Sequence, residues 1–220
     1  MTRALFGHPF SSYTWKALIA LYEKALPFDF KPIGPDHPDH GAELTALWPL
    51  GKFPVLEDDG LVLIESSIII EHLDQRYPET DQLIPWEDED ALDVRFMDRV
   101  FDNHVMTPTS AIVAEHLPFI TPTPDPARID RAKAALDTIY AWLEERLERA
   151  DWACGAAFTL ADCAAAPALF YADWVHEIPA RFARLRGYRA RLLARPSVAR
   201  CVEEARPYRP LFPLGAPDRD

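Results

Sequence analysis

Two runs of the chain place hydroxyls and a carboxylate where a helix opens. In the first, Ser11 and Ser12 stand ahead of Trp15, Leu18, Ile19 and Tyr22, apolar residues at i, i+3, i+4 and i+7. In the second, Glu65-Ser66-Ser67 stands ahead of Ile70, Leu73 and Tyr77 at helical spacing. A helix start presents backbone N–H groups without intrahelical partners, so it favours an anion. A thiolate held beside the first start would have its pKa lowered, and the Ser11 hydroxyl could donate to it. A hydroxyl is equally what an N-cap requires, so residue type leaves both roles open for Ser11, with Ser12 as its neighbour. Ser66 or Ser67 is the predicted N-cap of the second helix. Glu65 adds a negative charge there, so this start suits a ligand that brings both a carboxylate and an ammonium.

Other residues carry chemistry less sharply. Pro54 opens a strand, where it leaves the ladder one donor short; spacing alone makes it an ordinary trans proline. Lys52, just ahead of it, has the usual place of a lysine, a solvated loop. His37-x-x-His40 offers two metal-type side chains, but a structural zinc site wants four ligands and no further cluster is near, so no metal is expected. Asp98 and Asp102 fall one turn apart and read as surface acids of a helix. Arg181, Arg184, Arg186, Arg189, Arg191 and Arg195 read as a solvated face rather than a phosphate site, given the acidic chain. Met106, Ile112, Tyr171, Trp174, Tyr208 and Phe212 are candidates for an apolar pocket wall, and each fits plain core as well.

The elements that must position these groups follow from periodicity and punctuation. Arg3–Phe6 is a predicted strand, broken by Gly7-His8-Pro9. The helix after Ser12 closes at Leu26-Pro27, and Phe28–Lys31 is a second strand. Strand, helix and strand within about 30 residues form a βαβ unit with parallel pairing and a right-handed crossover. Residues 32–41 are predicted loop, and residues 42–48 a short helix stopped by Pro49. Residues 54–57 and 61–64 are strands around Asp58-Asp59-Gly60, a strong hairpin signal. The next helix ends at Tyr77-Pro78. This order is that of a thioredoxin-like domain without a redox cysteine pair. Residues 1–78 are therefore assigned to an α/β domain, the acidic, aperiodic residues 79–90 to a linker, and residues 91–220 to an all-helical domain. In the latter, Thr107-Pro108 should kink or end a helical turn. Ile129 to Leu147 marks a long helix, and Thr159-x-x-Asp162 is a capping box ahead of an Ala-rich buried helix. Two further helices and a proline-rich tail complete the chain.

Composition excludes several function classes. The 220 residues suffice for a sizeable core. A net charge of −12 argues against nucleic acid or an anionic membrane as the main partner. No apolar run approaches the ~18 residues of a membrane span, and the first ten residues show no signal-peptide core. The three cysteines, Cys154, Cys163 and Cys201, form no C-x-x-C pair and read as reduced residues of a cytosolic protein.

Taken together, P-x-G-K-x-P-x-L at Pro49–Leu56, the acidic-Gly hairpin, Glu65-Ser66 and the apolar helix resemble the glutathione-binding half of the glutathione transferase superfamily. The Thr159–Asp162 box also occurs in that family, so the resemblance spans nearly the whole chain. It implies a cis Pro54, with Phe53 pairing with the cysteinyl backbone of glutathione, Glu65 and Ser66 holding the γ-glutamyl end, and Lys52 and His40 near the glycyl carboxylate. The run FSSYTWKALIAL resembles the helix start of serine-type zeta- and theta-class enzymes, which implies that Ser11 stabilises the glutathione thiolate. Tyr13 stands where zeta- and beta-class enzymes have a cysteine, and its hydroxyl is a reserve donor beside Ser12. An acid such as Asp102 often reaches the partner subunit's γ-glutamyl amine. The resemblance thus implies a cytoplasmic, homodimeric, detoxifying transferase. Glutathione would be its co-substrate, without a metal, and a small-molecule electrophile would lie largely in the helical domain. The alternatives are a zeta-like glutathione-dependent cis–trans isomerase of the maleylacetoacetate type and a non-catalytic interaction module of the same architecture.

Overall fold

A computed structural model describes residues 2–147 and 151–220. Four strands, β1 (Arg3–Gly7), β2 (Asp29–Pro32), β3 (Val55–Asp58) and β4 (Leu61–Ile64), form one mixed sheet in the order β2-β1-β3-β4. β1 pairs with β2 in parallel and with β3 antiparallel, and β3 pairs antiparallel with β4. The β3–β4 hairpin turns through Asp59 (φ 50°) and Gly60 (φ 86°), the left-handed pair that a two-residue hairpin needs. The helices α1 (Ser12–Glu23), α2 (Pro38–Leu47) and α3 (Ser66–Arg76) complete a thioredoxin-like unit. α2 starts earlier than expected, at Pro38, because proline's fixed φ and missing N–H suit the first helical position.

Among the described residues after α3 the named elements are helical, apart from an isolated bridge between Trp152 and Gly155: α4 (Asp88–Val100), a π-helical turn (Phe101–Met106), α5 (Thr107–Glu115), α6 (Pro126–Arg146), α7 (Leu160–Val175), α8 (Ala183–Ala194), α9 (Pro196–Ala205) and a 3-10 turn (Arg206–Leu211). α4 opens inside the acidic stretch read as linker. Asp88, Glu89 and Asp90 form its first turn, where negative charge complements the dipole. The irregularity expected at Thr107-Pro108 is the π turn just ahead of it. Pro108 has no N–H and its ring would press on the carbonyl four residues back. The widened turn removes that conflict, and the Thr107 N–H bonds to the carbonyl of Asp102, five residues back.

α7 is buried along its whole length and is packed on by α1, α4 and the π turn, so one core runs from the sheet through α1 into the helical unit. Its capping box is more than a local cap. Asp162 accepts from the Thr159 N–H at 2.9 Å, the Ala153 N–H at 2.9 Å and the Tyr188 hydroxyl at 2.6 Å. Two arginines depart from the expected solvated face: Arg189 is largely buried beside Asp173, and Arg195 pairs with Glu23 of α1 at 2.6 Å. Cys163 and Cys201 are buried and Cys154 is half-buried, all three free. Among the described residues no helix is long and apolar enough to cross a membrane. Because Asp162→Ala strips several buried donors of their acceptor, it is expected to lower unfolding free energy by roughly 2–4 kcal/mol, more than the ~1 kcal/mol of an exposed cap. Urea denaturation measures this; a loss below about 1 kcal/mol would contradict it.

Candidate functional site

The β1–α1 connection is held tightly. A Cβ on Gly7 would lie 2.5 Å from the Thr14 side chain, so only glycine lets β1 meet α1 this closely. The Trp15 indole N–H donates to the Pro9 carbonyl at 2.6 Å, and the Tyr171 hydroxyl of α7 donates to the Phe10 carbonyl at 2.9 Å. The Phe10 N–H donates to Nδ1 of His8 at 3.0 Å, and burial lowers the pKa of this imidazole, in keeping with its acceptor role. Ser11 then caps α1: its Oγ accepts from the Thr14 N–H at 3.3 Å, which leaves its own O–H free to donate. The two roles left open by the sequence are therefore compatible in one side chain.

The second helix start differs from expectation. The N-cap of α3 is Glu65, with φ at +70° and no side-chain cap bond, rather than Ser66 or Ser67. That φ is unusual for a side chain other than glycine or asparagine and is the kind of backbone strain found where a group must be aimed. Ser66 is buried at the first helical position, and Ser67 is engaged elsewhere. The Phe53–Pro54 bond is cis. Val55 faces Ile64 across the β3–β4 ladder, so Phe53-Pro54 and Glu65-Ser66 leave the sheet at the same end.

Lys52, Phe53, Pro54, Glu65 and Ser66 line one cavity of about 310 Å³ together with Tyr13, Trp48, Ile64, Arg99, Asp102 and Asn103. Sequence reasoning had not singled out Trp48, Arg99 or Asn103, because nothing in their spacing ties the end of α2, α4 or the π turn to the hairpin; Ile64 was read only as a residue of the second hairpin strand. Ser11 and Ser12 line a different cavity of about 350 Å³, whose wall includes Phe10, Met106, Tyr171 and Phe212. Its lining residues carry no formal charge. Of the other pocket candidates, Trp174 packs behind Phe212 with ring centroids 5.1 Å apart, Ile112 is core, and Tyr208 lies against the ring of His8. His40 is absent from both linings; its Nδ1–H donates to the Pro32 carbonyl at 3.0 Å and its ring stacks on His37. Burial first, and then the charge of Asp102, raise the pKa of Tyr13, so its phenol stays protonated as a donor.

Asp98 and Asp102 are not the surface acids expected. Both are buried, around the ammonium of Lys16 on α1, which is itself 1% exposed. Lys16 pairs with Asp98, reaches Asp102 at 2.8 Å and donates to Ser67 Oγ at 2.9 Å. Ser67 donates to Asp98 at 2.9 Å, and Arg99 Nη2 reaches both carboxylates at 2.6 Å. Burial pushes the Asp102 carboxyl up, against the pull of Lys16. The cluster ties α1 and α3 to α4, and Arg99 and Asp102 form part of the cavity wall.

Comparison with known proteins places this architecture. Residues 5–81 match the glutathione S-transferase N-terminal domain and residues 126–191 the glutathione S-transferase C-terminal domain. Glutathione S-transferase F7 of Arabidopsis thaliana is 30% identical over 172 residues, covering 76% of this chain and 82% of the relative. FtsZ-localized protein A of Caulobacter vibrioides (strain NA1000 / CB15N) is 30% identical over 184 residues, covering 80% of each. The crystal structure of a glutathione S-transferase from Methylobacillus flagellatus KT with glutathione bound superposes with a TM-score of 0.79 at 26% identity, covering 91% of this chain and 98% of that one. The chain belongs to the glutathione S-transferase family.

Removing one partner from a buried ion pair costs about 3–5 kcal/mol, because the remaining charge is left uncompensated. Lys16→Met is therefore expected to lower stability by that amount in chemical denaturation. Adding Asp102→Asn to it should recover part of the loss; no recovery would mean that Lys16 acts by packing rather than by charge.

Proposed function

We propose that the protein is a serine-type glutathione transferase, which binds reduced glutathione and activates its thiol for attack on an electrophile. The observation that carries this reading is the single cavity lined by Lys52, Phe53, Pro54, Glu65 and Ser66, whose charges complement a ligand with two carboxylates and one ammonium. The neighbouring uncharged cavity opens beside the Ser11 hydroxyl and suits an apolar electrophile. In this reading Glu65 pairs with the γ-glutamyl ammonium, Ser66 donates to the γ-glutamyl carboxylate and Lys52 meets the glycyl carboxylate. The uncharged wall and Tyr13 both count against a zeta-type isomerase acting on an acidic diketone. A second reading, a non-catalytic interaction module, draws on the relative named FtsZ-localized protein A. Retention on a glutathione column and turnover of an aryl halide favour the enzyme; retention of neither favours the module.

The same reading includes a homodimer with a two-fold contact. β4 is a sheet edge with Leu61 and Val62 exposed, and Ile68 of α3 and Leu92 and Phe96 of α4 are exposed as well. Exposed apolar groups of this size suit a covered surface. Sedimentation at micromolar concentration should give twice the 25.0 kDa chain mass; an active species of the single mass would contradict it.

A free thiol with pKa ~8.5 is only a few per cent ionised at neutral pH. A hydroxyl bond to the thiolate, about 1.5–3 kcal/mol, plus ~0.3–1 kcal/mol from the α1 terminus is enough to lower that pKa by about two units. Ser11→Ala should lower the rate at about pH 6.5 by roughly ten- to a hundredfold. It should also cost ~1 kcal/mol of stability through the lost cap. The rate deficit should shrink as pH rises past the thiol's own pKa, since solvent then ionises it. Thiolate absorbance against pH, compared with Tyr13→Phe and Ser12→Ala, identifies the donor: a titration moved by Tyr13→Phe and not by Ser11→Ala assigns the role to the tyrosine.

A further inference from the structure

We propose that His8 positions the Ser11 hydroxyl, its Nδ1 taking the Phe10 N–H and so fixing the peptides on which Ser11 stands. This rests on the reading in which Ser11 stabilises the glutathione thiolate, and adds to it the group that aims the hydroxyl. β1 passes into α1 through His8-Pro9-Phe10-Ser11. The Ser11 N–H donates to the His8 carbonyl at 2.9 Å, which closes a four-residue turn with proline at its second place. Nδ1 of His8 accepts from the Phe10 N–H at 3.0 Å, two residues on, as an Asn or Asp side chain does in an Asx turn. Each peptide is a rigid plane, so a hold on both its N–H and its carbonyl fixes its direction. The Pro9–Phe10 peptide is held at its N–H by His8 Nδ1 and at its carbonyl by the Trp15 indole at 2.6 Å. The Phe10–Ser11 peptide is held by the His8 carbonyl and by the Tyr171 hydroxyl at 2.9 Å. Without the Nδ1 acceptor the first plane is held by its carbonyl alone. Any rotation there passes through Phe10 to the Cα–Cβ direction of Ser11.

The imidazole is itself held. Its ring meets that of Tyr208, on the 3-10 turn, edge-on with centroids 4.7 Å apart. The backbone N–H of His8 donates to Thr14 Oγ1 at 3.3 Å, a bond that does not involve the imidazole. For Nδ1 to accept, the ring must be neutral with its proton on Nε2. Burial lowers its pKa, which favours that state. The charged groups of the elements packed nearby are paired with one another. Arg200 and Glu204 of α9 pair at 2.8 Å in the cavity that Pro9 and Tyr208 also line. On the 3-10 turn Arg206 pairs with Glu203 and Asp220, and Arg209 with Asp220. On β2 Lys31 pairs with Asp29, and on α7 burial keeps the Tyr171 phenol protonated as a donor. A proton arriving on Nδ1 turns the acceptor into a donor facing the Phe10 N–H. The hold on Ser11 is therefore present at neutral pH and lost as pH falls through the pKa of the imidazole.

The test compares His8→Phe, which keeps a ring against Tyr208 and removes the acceptor, with His8→Asn, which removes the ring and keeps an acceptor of the Asx-turn kind. The readout is thiolate absorbance of bound glutathione against pH, in the native and the Ser11→Ala backgrounds. His8→Phe should move that titration up by about 0.5–1 pH unit, the worth of one neutral hydrogen bond, and leave glutathione affinity within about twofold. His8→Asn should titrate close to wild type. Placed on Ser11→Ala, His8→Phe should shift nothing further, because the group it positions is gone. His8→Phe that titrates as wild type, His8→Asn as impaired as His8→Phe, or an undiminished shift on Ser11→Ala would each overturn the proposal. Wild type decides even where His8→Phe fails to fold: by nuclear magnetic resonance the Phe10 amide should move as the imidazole titrates and stay fixed in His8→Asn. A Phe10 amide indifferent to that titration overturns the proposal. Wild type that leaves bound glutathione un-ionised, or ionised regardless of Ser11→Ala, refutes the Ser11 reading and this proposal with it. A thiolate that needs Ser11 but not His8 refutes this proposal alone.

Discussion

A buried ammonium is the constraint on which the two halves of this molecule depend. Lys16 lies on the inner side of α1, out of water, and its charge is tolerable only because Asp98, Asp102 and Ser67 close around it. Desolvating such a charge costs several kcal/mol unless good geometry compensates it. The geometry therefore has to hold, and in holding it fixes α1 and α3 against α4. Apolar packing of α1 on α7 would tolerate small slides of one unit over the other; a set of directional bonds at 2.6–2.9 Å does not. The helix that carries Ser11 and Tyr13 is thereby locked to the wall that carries Arg99.

Separation of polar from apolar space follows from that lock. The acids and cations gather at the hairpin end of the sheet, where Glu65 is turned by a positive φ and Phe53-Pro54 leaves the ladder beside it. On the other side of the α1 start, Phe10, Tyr171 and Phe212 exclude charge. The start of α1 thus separates an uncharged wall on one side from a charged one on the other.

Much of the fold was legible because its signals are local. The Asp-Gly turn, the Pro-Gly punctuation and the 3.6-residue periods of α1, α3 and α6 each specify one element, and each element lies within a few residues of expectation. The hairpin side of the cavity was equally readable, since Lys52 through Ser66 is one continuous stretch. What escaped was whatever depends on pairing across the chain. Lys16 reads as one more polar residue of an amphipathic helix, and Asp98 and Asp102 as surface acids, because burial of a charge is decided by a partner some 86 residues away. Arg99 escaped for the same reason. The Glu65 cap escaped because, of the two serines that residue type would make the cap, Ser66 is buried at the first helical position and Ser67 is recruited by Lys16. The acidic run at Asp88–Asp90 misled in another way: the charge that suggests a solvated connection is also what a helix start prefers.

The π turn at Phe101–Met106 has a consequence for how this site can be re-tuned. Asp102 stands at its beginning in the polar wall and Met106 at its end in the apolar one. An α-helix advances 100° per residue. Loss of one residue from the turn would restore ordinary helical bonding and at the same time swing every later side chain of α5 by about that angle. The α5 side of the uncharged wall, Thr109, Ser110, Val113 and Ala114, would be re-dealt while Phe10, Tyr171 and Phe212 and the charged wall upstream stayed in place. A single codon lost after Asn103 would thus reshape one face of the uncharged cavity without altering the residues of the charged one, a modularity located in helical phase rather than in any one side chain.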